Sequence, residues 1–579
     1  MNRMLVFGAV LCMGAKVFSA EYVIEAPNGV GDVVALTNAI FKINQSNSTG
    51  TRVLLKPGVY DLAGIKSMYG SGTLLNGAHL YFNTKCMNAL IAGLGDGPGD
   101  VVLKGDGTLG IFHIWSTDAT KPTVVSNLTV TGGSRKGDAG GIYGSSYGGL
   151  VLKDLIVTNN CSTGLAGGVL RAKMYNCLIA DNRSSGNKGG GFWSDTAGMG
   201  AYGCVFSNNT TVSTGGGVYS SGAEGFLINC RFYGNVATSG SGAVMYNGVV
   251  SNCVFVGNGP SGAANSDKLG GGLYLENGEC VGCDFIGNHA DRGGGVYVST
   301  STTVVRDCMF EGNIQKGWAS GAALYVNASQ PLALVSNCVF NANITRSSSQ
   351  TVISNAELVD CVITNHHEIN GYLLAGCNMT RCLVSDNSAW GNGQNLDIAT
   401  VYGGTTVYRT NVNCVIACNL TTNGVNSITD GKTIVNCTYF GNHVDGGGTG
   451  ANIIRYSTVY NTLIVSNRLS GTLLDIRNGG GATPYLTNCV LSVVGSGVDE
   501  AKLHACKIVP RFRFASREDG VMYDIKSSSP AFDAGVLEDW MVPVLAGKDF
   551  ARRNRVMFDA IDIGAMECQY IPGFIMVIR

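Results

Sequence analysis

The chain has 579 residues, of which only 14% are charged, and its 39 Lys and Arg nearly balance 40 Asp and Glu, for a formal net charge of −1. This balance excludes a protein that binds nucleic acid through a basic surface, because such a surface has to displace counterions. Glycine accounts for 83 residues, proline for 11, and 45% of the chain is hydrophobic. A single globular core stops growing at about 250–300 residues. The length therefore predicts either several domains or a solenoid, whose core lengthens without widening.

Residues 1–20 have the features of a secretory signal. Arg3 supplies a positive charge, residues 5–13 form a short apolar run, and Ser19 and Ala20 are small residues at which a signal peptidase could cut. The run is too short to cross a bilayer, which takes about 20 apolar residues. We expect an exported protein, secreted or held at a cell surface, with no transmembrane span in the mature chain.

An apolar strand of the form Cys-x-Phe-x-x-Asn recurs along the middle of the chain. Its copies begin at Cys204, Cys230, Cys253, Cys283, Cys308 and Cys338, and weaker copies extend the series from Leu128 to Cys489. A second motif, three small residues followed by an apolar and an aromatic residue, begins at Gly189, Gly215, Gly270, Gly293 and Gly321. Steps of 21–32 residues separate the strands. A step of this length holds two or three short strands, and no helix signature accompanies it.

Cys and Phe lie two residues apart in this strand, so they share one face. If every coil of the chain places the same residue type at the same position, those side chains stack about 4.8 Å apart and fill a continuous core. The terminal Asn can turn the corner in a left-handed conformation and pair its amide with the neighbouring coil. The repeat therefore predicts an all-β fold, a parallel β-helix, and the crossover rule predicts that it is right-handed.

The predicted β-helix occupies residues 52–494. Residues 21–51 form a predicted N-terminal cap with a short helix, whose buried face is marked by Val33, Leu36, Ile40 and Ile43. Residues 495–579 lose the repeat, carry more charge, and form a predicted C-terminal cap.

The Phe-x-x-Asn and Gly-Gly-Ala/Gly-Ile/Leu/Val motifs resemble the repeats of the chlamydial polymorphic outer-membrane proteins and their bacterial β-helix relatives. The segment from Tyr523 to Gly535 and the sequence Asp562-Ile-Gly-Ala-Met-Glu567 look like the end segment of secreted bacterial β-helix proteins of the choice-of-anchor group. Residues 549–555 depart from that group's usual Gly and Pro. The resemblance implies a right-handed β-helix associated with the cell surface or outer membrane, and a role in adhesion.

The cysteines suggest disulfides or a metal site, but neither is favoured. Most of the 20 cysteines occupy one core position, where side chains that point in parallel have poor torsion for a disulfide. We therefore predict a column of buried thiols. Cys280-x-x-Cys283 is a lone pair and a weak indicator of zinc. The neighbouring His289 does not strengthen it, because residues three apart on a strand face opposite sides. We predict no metal and no cofactor.

Parallel β-helices also house polysaccharide lyases and hydrolases. The paired carboxylates of the β-helix hydrolases have no counterpart in this sequence. Arg231, Asp284 and Glu311 point outward on nearby coils and are weak candidates for a lyase-like catalytic set, which would require a cation such as Ca²⁺. The favoured interpretation of these three residues is ordinary surface charge. The sequence His366-His367-Glu368 is interpreted as a loop.

A column of aromatic residues is the candidate ligand-binding site. Trp193, Tyr219, Tyr274, Tyr297 and Tyr325 alternate with aliphatic residues and are predicted to face outward, and Met245 is predicted to fill one position in the column. Exposed aromatic rings with hydroxyls suit stacking against sugars or a partner protein. A stack that simply stabilises the coil is the favoured alternative.

The leading hypothesis is a monomeric, non-catalytic surface protein that recognises a glycan or a host or cell-surface protein. The alternative is a carbohydrate-active enzyme, resembling a polysaccharide lyase, on the same scaffold. A groove with three or more converging carboxylates beside an Arg or Lys would favour the enzyme. A surface of Tyr, Asn and Ser would favour binding.

Overall fold

A computed structural model describes residues 20–45, 50–65, 77–83, 87–261, 268–317, 320–327, 332–390, 396–398, 400–402, 405–407, 409–422, 427–445, 451–514, 523–545, 547–555 and 560–568. The predicted signal lies outside these residues except for Ala20. The chain forms two compact units: Met1–Asn187 with Gly191–Val205, and Lys188–Gly190 with Phe206–Arg579. No helix among the described residues combines the length and hydropathy that a membrane crossing needs.

Both units are right-handed parallel β-helices, which confirms the predicted fold class. Each coil passes through three short strands, and each strand pairs in parallel with the equivalent strands of the coils before and after it. In the first sheet, the strands of the first unit are Glu21–Ile24, Arg52–Leu55, Leu90–Gly93, Thr123–Ser126, Leu150–Lys153, Lys173–Tyr175 and Gly200–Tyr202. Those of the second unit are Gly225–Ile228, Gly248–Ser251, Glu279–Val281, Val304–Arg306, Ala333–Ser336, Ala356–Val359, Asn378–Thr380, Arg409–Val412, Lys432–Val435, Thr458–Tyr460, Tyr485–Thr487 and Leu503–His504.

The second sheet contains the Cys-x-Phe repeat. Its strands in the first unit are Gly58–Asp61, Val101–Lys104, Thr129–Thr131, Ile156–Thr158 and Leu178–Ala180, and the strand Val205–Ser207 contains the boundary between the units. In the second unit the strands are Arg231–Tyr233, Val254–Val256, Asp284–Ile286, Met309–Glu311, Val339–Asn341, Val362–Thr364, Leu383–Ser385, Val415–Ala417, Thr438–Phe440, Leu463–Val465, Val490–Leu491 and Lys507–Ile508.

The third sheet follows the Gly-rich motif. Its strands in the first unit are Ala78–Phe82, Gly110–Ile114, Ile142–Gly144, Val169–Leu170 and Phe192–Ser194. In the second unit they are Val218–Ser220, Ala243–Tyr246, Leu273–Glu276, Val296–Val298, Leu324–Val326, Ile344–Ser354, Ile369–Ala375, Asp397–Ile398, Thr429–Asp430 and Ile454–Arg455.

Short strands occupy the corner between the second and third sheets. They are Ser134–Arg135, Cys161–Ser162 and Arg183–Ser184 in the first unit, and Thr210–Thr211, Val236–Ala237, Gly259–Pro260, His289–Ala290, Ile314–Gln315, Ser388–Trp390, Leu420–Thr422, His443–Asp445 and Arg468–Leu469 in the second. Two antiparallel pairs also occur: Thr400–Tyr402 with Thr405–Val407, and Arg468–Leu469 with Thr472–Leu473.

The described helices are few and short. The α-helix Val33–Gln45 buries Leu36, Ile40 and Ile43, as the apolar pattern predicts. The other helices are the α-helix Met541–Leu545 and the 3-10 turns Pro27–Gly29, Leu62–Gly64, Gly480–Ala482 and Glu500–Lys502.

The Phe side chains of the repeat form one continuous stack in the core of the second unit. Phe206, Phe232, Phe255, Phe285, Phe310 and Phe340 are all fully buried. Neighbouring ring centroids lie between 4.4 and 5.1 Å apart, with the rings nearly parallel. The parallel register sets this geometry, because it aligns each Phe with the Phe of the next coil.

The Asn residues of the repeat form a buried hydrogen-bonded ladder. Where one Asn follows another, the backbone N–H and side-chain amide of the first donate to the side-chain oxygen of the next, as from Asn258 to Asn288 at 2.9 and 3.0 Å. The Asn288 amide also donates to the carbonyl of Phe255 at 2.8 Å. The ladder of the second unit consists of Asn209, Asn235, Asn258, Asn288, Asn313, Asn343, His366, Asn387, Asn419, Asn442, Asn467 and Asp475.

The left-handed corner residue is not the ladder Asn, as the sequence predicted, but the residue before it. Gly234, Gly257, Gly287 and Gly312 have φ between 56° and 62°, and each precedes a ladder Asn. Glycine adopts this conformation without a steric penalty. Because the preceding residue makes the turn, the backbone of the Asn can direct its side chain into the core of the coil.

His366 lies outside the strands, as the interpretation of this sequence as a loop predicted, and its fully buried side chain belongs to the ladder. Its Nδ1 lies 2.9 Å from the Asn387 side-chain oxygen, and its Nε2 lies 3.2 Å from the Asn343 amide nitrogen. The two partners require a neutral ring, with the proton on Nδ1 and an acceptor at Nε2. Burial lowers the pKa of His366 to about 4.

The cysteines form columns of free thiols, as predicted. None of the 18 described cysteines forms a disulfide with another, and 15 of them are buried. The thiols also take part in hydrogen bonds: the Cys253 sulfur accepts from the Cys230 N–H at 3.4 Å, and its S–H can donate to the Ser251 carbonyl at 3.3 Å. Burial raises the pKa of the Cys253 thiol. Each thiol therefore acts as a small apolar side chain that also forms hydrogen bonds with backbone groups.

The core of the later coils contains a buried ion pair. Lys432 Nζ lies 2.6 Å from Asp397 Oδ1 and donates to the Cys377 carbonyl at 2.7 Å. Asn411 donates to the second oxygen of Asp397 at 2.9 Å. The sequence between about residues 345 and 470 matches the repeat poorly because polar side chains replace part of the apolar core there.

The C-terminal segment covers the side of the last coils. Its described residues place Ile525, Ile563 and Met566 against Leu463 and Val490 on the outer face of the second sheet. The left-handed corner residues Asn413, Asn436, Asn461 and Asn488 donate side-chain hydrogen bonds to carbonyls of this segment.

Replacement of Asn288 by Ala tests the ladder. The change removes the acceptor of two Asn258 donors and the donor to Phe255, and each buried group without a partner costs about 1–3 kcal/mol. We expect the free energy of unfolding to fall by about 3 kcal/mol or more, measured by urea titration followed by circular dichroism. Asn341→Ala is the control, because this half-buried Asn lies on the outer face, where its side chain bonds to Glu311 and to the exposed Asn365 and not to the ladder. Equal losses for the two variants would contradict a stabilising ladder.

Alkylation of the native protein tests the thiol columns. Among the described cysteines only Cys418 is exposed. We expect iodoacetamide to modify Cys418 first and to leave Cys253 unmodified until the protein is denatured, because a buried thiol is inaccessible and poorly ionised. Peptide mass spectrometry reads out both sites. A disulfide between Cys230 and Cys253 in the unreduced digest would refute the prediction.

Candidate functional site

The tyrosines of the third sheet lie on its outer face in the second unit. Tyr219, Tyr274, Tyr297 and Tyr325 alternate with inward-facing aliphatic residues that are fully buried. The rings of Tyr274 and Tyr297 stack with centroids 5.2 Å apart, and those of Tyr297 and Tyr325 are 5.5 Å apart. The predicted column therefore exists as a stack of rings.

Met245 does not fill the gap in this column, as the sequence predicted. The register aligns Val244 with both Tyr219 and Tyr274, and Met245 points inward, fully buried. The ring of Tyr246, two residues after Val244, fills the gap instead. Its centroid lies 5.9 Å from that of Tyr219 and 5.6 Å from that of Tyr274. We call Tyr219, Tyr246, Tyr274, Tyr297 and Tyr325 the tyrosine ladder.

The rings are less exposed than the sequence predicted. Tyr219 is 7% exposed and Tyr297 is 4% exposed, whereas Tyr246, Tyr274 and Tyr325 are half-buried. Rings stacked about 5 Å apart cover one another's faces, so that mainly edges and hydroxyls remain open.

Trp193, the fifth predicted member, is a residue of the first unit and is 8% exposed. The guanidinium carbon of Arg171 lies 5.1 Å from the centre of its ring system. Arg171 in turn forms two hydrogen bonds to Asp195, at 2.6 and 3.0 Å. The face of Trp193 is thus occupied by a paired arginine.

A cavity of about 260 Å³ opens beside the first three rings of the tyrosine ladder. We call it the ladder pocket. Its lining includes the rings of Tyr219, Tyr246 and Tyr274, the hydroxyl-bearing residues Thr214, Ser239 and Ser241, and Lys188. Loops before the Gly-rich motifs supply the polar residues, and the strands of the third sheet supply the rings.

Two phenols of the ladder pocket, those of Tyr246 and Tyr274, stay protonated at neutral pH. Burial, with the neighbouring tyrosines, raises the pKa of Tyr246, and burial also raises that of Tyr274. The Tyr274 hydroxyl donates to Glu276 Oε2 at 2.9 Å. None of the ten described lining residues is an acid, a histidine or a cysteine. The pocket therefore offers ring edges, hydroxyls and one ammonium, without the carboxylate pair that glycoside hydrolysis uses.

The weak catalytic candidates do not converge. Register places Val254 between Arg231 and Asp284, which separates the two charges by two coils, about 10 Å. Glu311 lies on the coil after Asp284, and its oxygen accepts from the Asn341 amide at 3.1 Å. Burial raises the pKa of Asp284, and Glu311 adds to the shift. Within the described residues, no ion pair joins Arg231 to either carboxylate.

The Cys280-x-x-Cys283 pair does not assemble a metal site with His289. The His289 Nε2 lies 3.3 Å from the Pro260 carbonyl oxygen. Among the described residues, these three side chains do not come together as a ligand set.

Three carboxylates do meet elsewhere, in the C-terminal segment, and the sequence had shown them only as parts of a family motif. Asp533, Asp562 and Glu567 have oxygens within 4.8 Å of one another. Asp562 accepts backbone hydrogen bonds from Asp533 and Cys568, both at 2.6 Å. The fully buried Arg555 has its Nε 3.8 Å from Glu567.

This acidic cluster does not fit Ca²⁺, the cation that the lyase alternative would need. Ca²⁺ takes six to eight oxygen ligands, whereas the oxygens of Asp562 already accept backbone N–H groups and Arg555 supplies positive charge. Asp562 and Glu567 are also buried, beyond the reach of a polymer. The cluster is therefore an internal feature of the segment rather than a groove with converging carboxylates.

A comparison with known protein families supports the fold. A family model described as a right handed beta helix region matches residues 109–314. No curated protein matches this sequence. Among solved structures, the A-module of the Azotobacter vinelandii mannuronan C-5 epimerase AlgE6 is 14% identical, with a TM-score of 0.28, over 76% of this chain and 94% of that module.

A second solved structure is the tailspike protein gp49 of the Acinetobacter baumannii bacteriophage Fri1, a capsular polysaccharide depolymerase. It is 11% identical, with a TM-score of 0.27, over 65% of this chain and 61% of that one. Pectate lyase Pel9A is 14% identical, with a TM-score of 0.17, over 96% and 97% of the two chains. Similarity at this level carries no argument about function, so the function has to be inferred from the site.

The acidic cluster predicts a pH-dependent stability. Burial raises the pKa of Glu567 to about 8 and that of Asp562 to about 6. The folded protein therefore holds these protons more tightly than the unfolded chain. The stability that they contribute is complete below the pKa of an unfolded carboxyl and is lost as the pH rises toward about 8.

We expect the melting temperature of the protein to fall between about pH 4 and about pH 8, and Glu567→Gln to reduce this fall. Thermal unfolding followed by circular dichroism measures both. Glu500→Gln, at an exposed position, is the control. An identical pH slope in the Glu567→Gln variant and the parent protein would rule out this role for Glu567.

Proposed function

We propose that the protein is exported, held at a cell surface, and recognises a glycan at the ladder pocket without catalysing a reaction. The observation that carries the proposal is the meeting of three tyrosine rings with hydroxyls and an ammonium around one cavity of about 260 Å³. The signal-like residues 1–20 support export. The resemblance to polymorphic outer-membrane and choice-of-anchor proteins supports surface location and adhesion.

The chemistry of the ladder pocket matches that of a sugar. A sugar ring has apolar C–H faces and a rim of hydroxyls, so it packs on aromatic side chains and exchanges hydrogen bonds with neighbouring hydroxyls. Tyr246 and Tyr274 are half-buried and supply the apolar contact. Ser239, which is exposed, and Thr214, which is half-buried, supply hydroxyls at the rim.

The size of the ladder pocket limits how much ligand it encloses. Pockets for drug-sized molecules usually measure about 300–1,000 Å³, so this cavity is at or below the lower end. It therefore suits a single sugar unit, and the rest of a glycan chain would lie on the surface of the coil. This mode of binding fits recognition of a polymer better than that of a cofactor.

The proposal predicts that the glycan-binding activity depends on Tyr246. We expect Tyr246→Ala to weaken binding to the best ligand of a glycan panel by about tenfold, equivalent to about 1.4 kcal/mol, because the change removes the ring that bridges Tyr219 and Tyr274. Calorimetry or biolayer interferometry measures the affinity. Tyr485→Ala is the matched control, since Tyr485 is an exposed tyrosine of the first sheet, outside the pocket.

Ser239→Trp tests the same proposal without removing a ring. A tryptophan at this exposed rim position would fill the cavity, and we expect it to abolish binding while the circular dichroism spectrum stays unchanged. Binding that survives both Ser239→Trp and Tyr246→Ala would contradict the ladder pocket as the site. An increase in ultraviolet absorbance from unsaturated products would instead identify the protein as a lyase.

A further inference from the structure

Lys188 provides the only positive charge among the described residues that line the ladder pocket. Its Nζ donates to the Tyr219 hydroxyl at 3.0 Å and lies 4.5 Å from the centre of the Tyr219 ring. Two contacts with one phenol hold the flexible side chain in place. The ammonium is therefore a positioned group and not a freely rotating surface charge.

No carboxylate in the described chain neutralises Lys188. Its two partners are the ring and the hydroxyl of Tyr219, both uncharged. Glu276, an acid beside the ladder, accepts the Tyr274 hydroxyl at 2.9 Å and does not line the cavity. An ammonium with three N–H donors, only one of which is directed to Tyr219, retains donors for an anion.

The position of Lys188 explains how an anion could gain affinity here. The half-buried ammonium lies at the edge of an aromatic stack, where the effective dielectric is lower than in water, so a nearby negative charge is attracted more strongly than at an open surface. Charge-assisted hydrogen bonds are roughly twice as strong as neutral ones.

We infer that the ladder pocket selects an acidic sugar unit, whose carboxylate pairs with Lys188 while its ring packs against Tyr246 and Tyr274. The inference rests on the proposed function and adds to it the class of ligand, an anionic glycan. Recognition then has two parts: ring packing that any sugar of the right shape obtains, and an ion pair that only an acidic sugar obtains.

The test compares one glycan with and without its charge. Oligogalacturonate and its methyl ester have the same backbone, and only the former is anionic. We expect the protein to bind oligogalacturonate about tenfold more tightly than the ester, and the difference to shrink as NaCl rises from about 50 mM to about 500 mM, because salt screens the charge. Lys188→Met should remove the preference, so that the variant binds the acid no more tightly than the ester.

Lys502→Met is the matched control. Lys502 Nζ lies 4.9 Å from the centre of the Tyr485 ring, so the variant removes a similar lysine–tyrosine contact from the same unit without touching the pocket. We expect this variant to keep the preference for oligogalacturonate.

The possible results separate the two proposals. Equal binding of the acid and the ester by the parent protein, lost together in Tyr246→Ala, would refute selection by charge and leave glycan binding in place. A preference for the acid that persists in Lys188→Met would also refute the role of Lys188. A protein that binds neither these two nor any other glycan of the panel would overturn the proposed function itself.

Discussion

The in-register pairing of parallel strands is the constraint on which the rest of this structure depends. Because each coil repeats the strand positions of the previous one, like side chains lie over one another about 4.8 Å apart. Phe then stacks on Phe with nearly parallel rings. The hydrogen-bonded Asn ladder in turn stabilises this register, since an Asn side chain gains a partner on each side only when the neighbouring coils place hydrogen-bonding side chains at the same position. The register therefore produces both the Phe stack and the Asn ladder, and the hydrogen bonds of the ladder stabilise the register.

The same register determines where the coil can vary. A position in the ladder accepts a different residue only if that residue has a donor on one side and an acceptor on the other. His366 meets this requirement in its neutral form, and Asp475 ends the series as an acceptor. The outer positions have no such requirement, so they can carry the tyrosine ladder in one stretch and the apolar surface that the C-terminal segment covers in another.

Much of the fold could be predicted from local spacing. The two-residue separation of Cys and Phe identified the core face, and the apolar period of the helix Val33–Gln45 identified its buried side. The site was predicted less well. Tyr246 was missed because its ring reaches across to a position that its own backbone does not occupy, and Lys188 because a loop brings it there. The acidic cluster was missed because Asp533 and Glu567 are far apart in the chain.

By itself, the sequence determined the class of fold and the identity of the Phe and Cys residues stacked in the core, because these follow from short-range periodicity. Only the tertiary structure decided which rings remain accessible, which cation joins them, and which side of the coil the C-terminal segment covers. The physical reason is that every coil repeats the same strand positions, whereas the loops between strands differ in length, so that the step from coil to coil varies from 21 to 32 residues. Their side chains are placed by packing against neighbouring coils, and no local pattern records that packing.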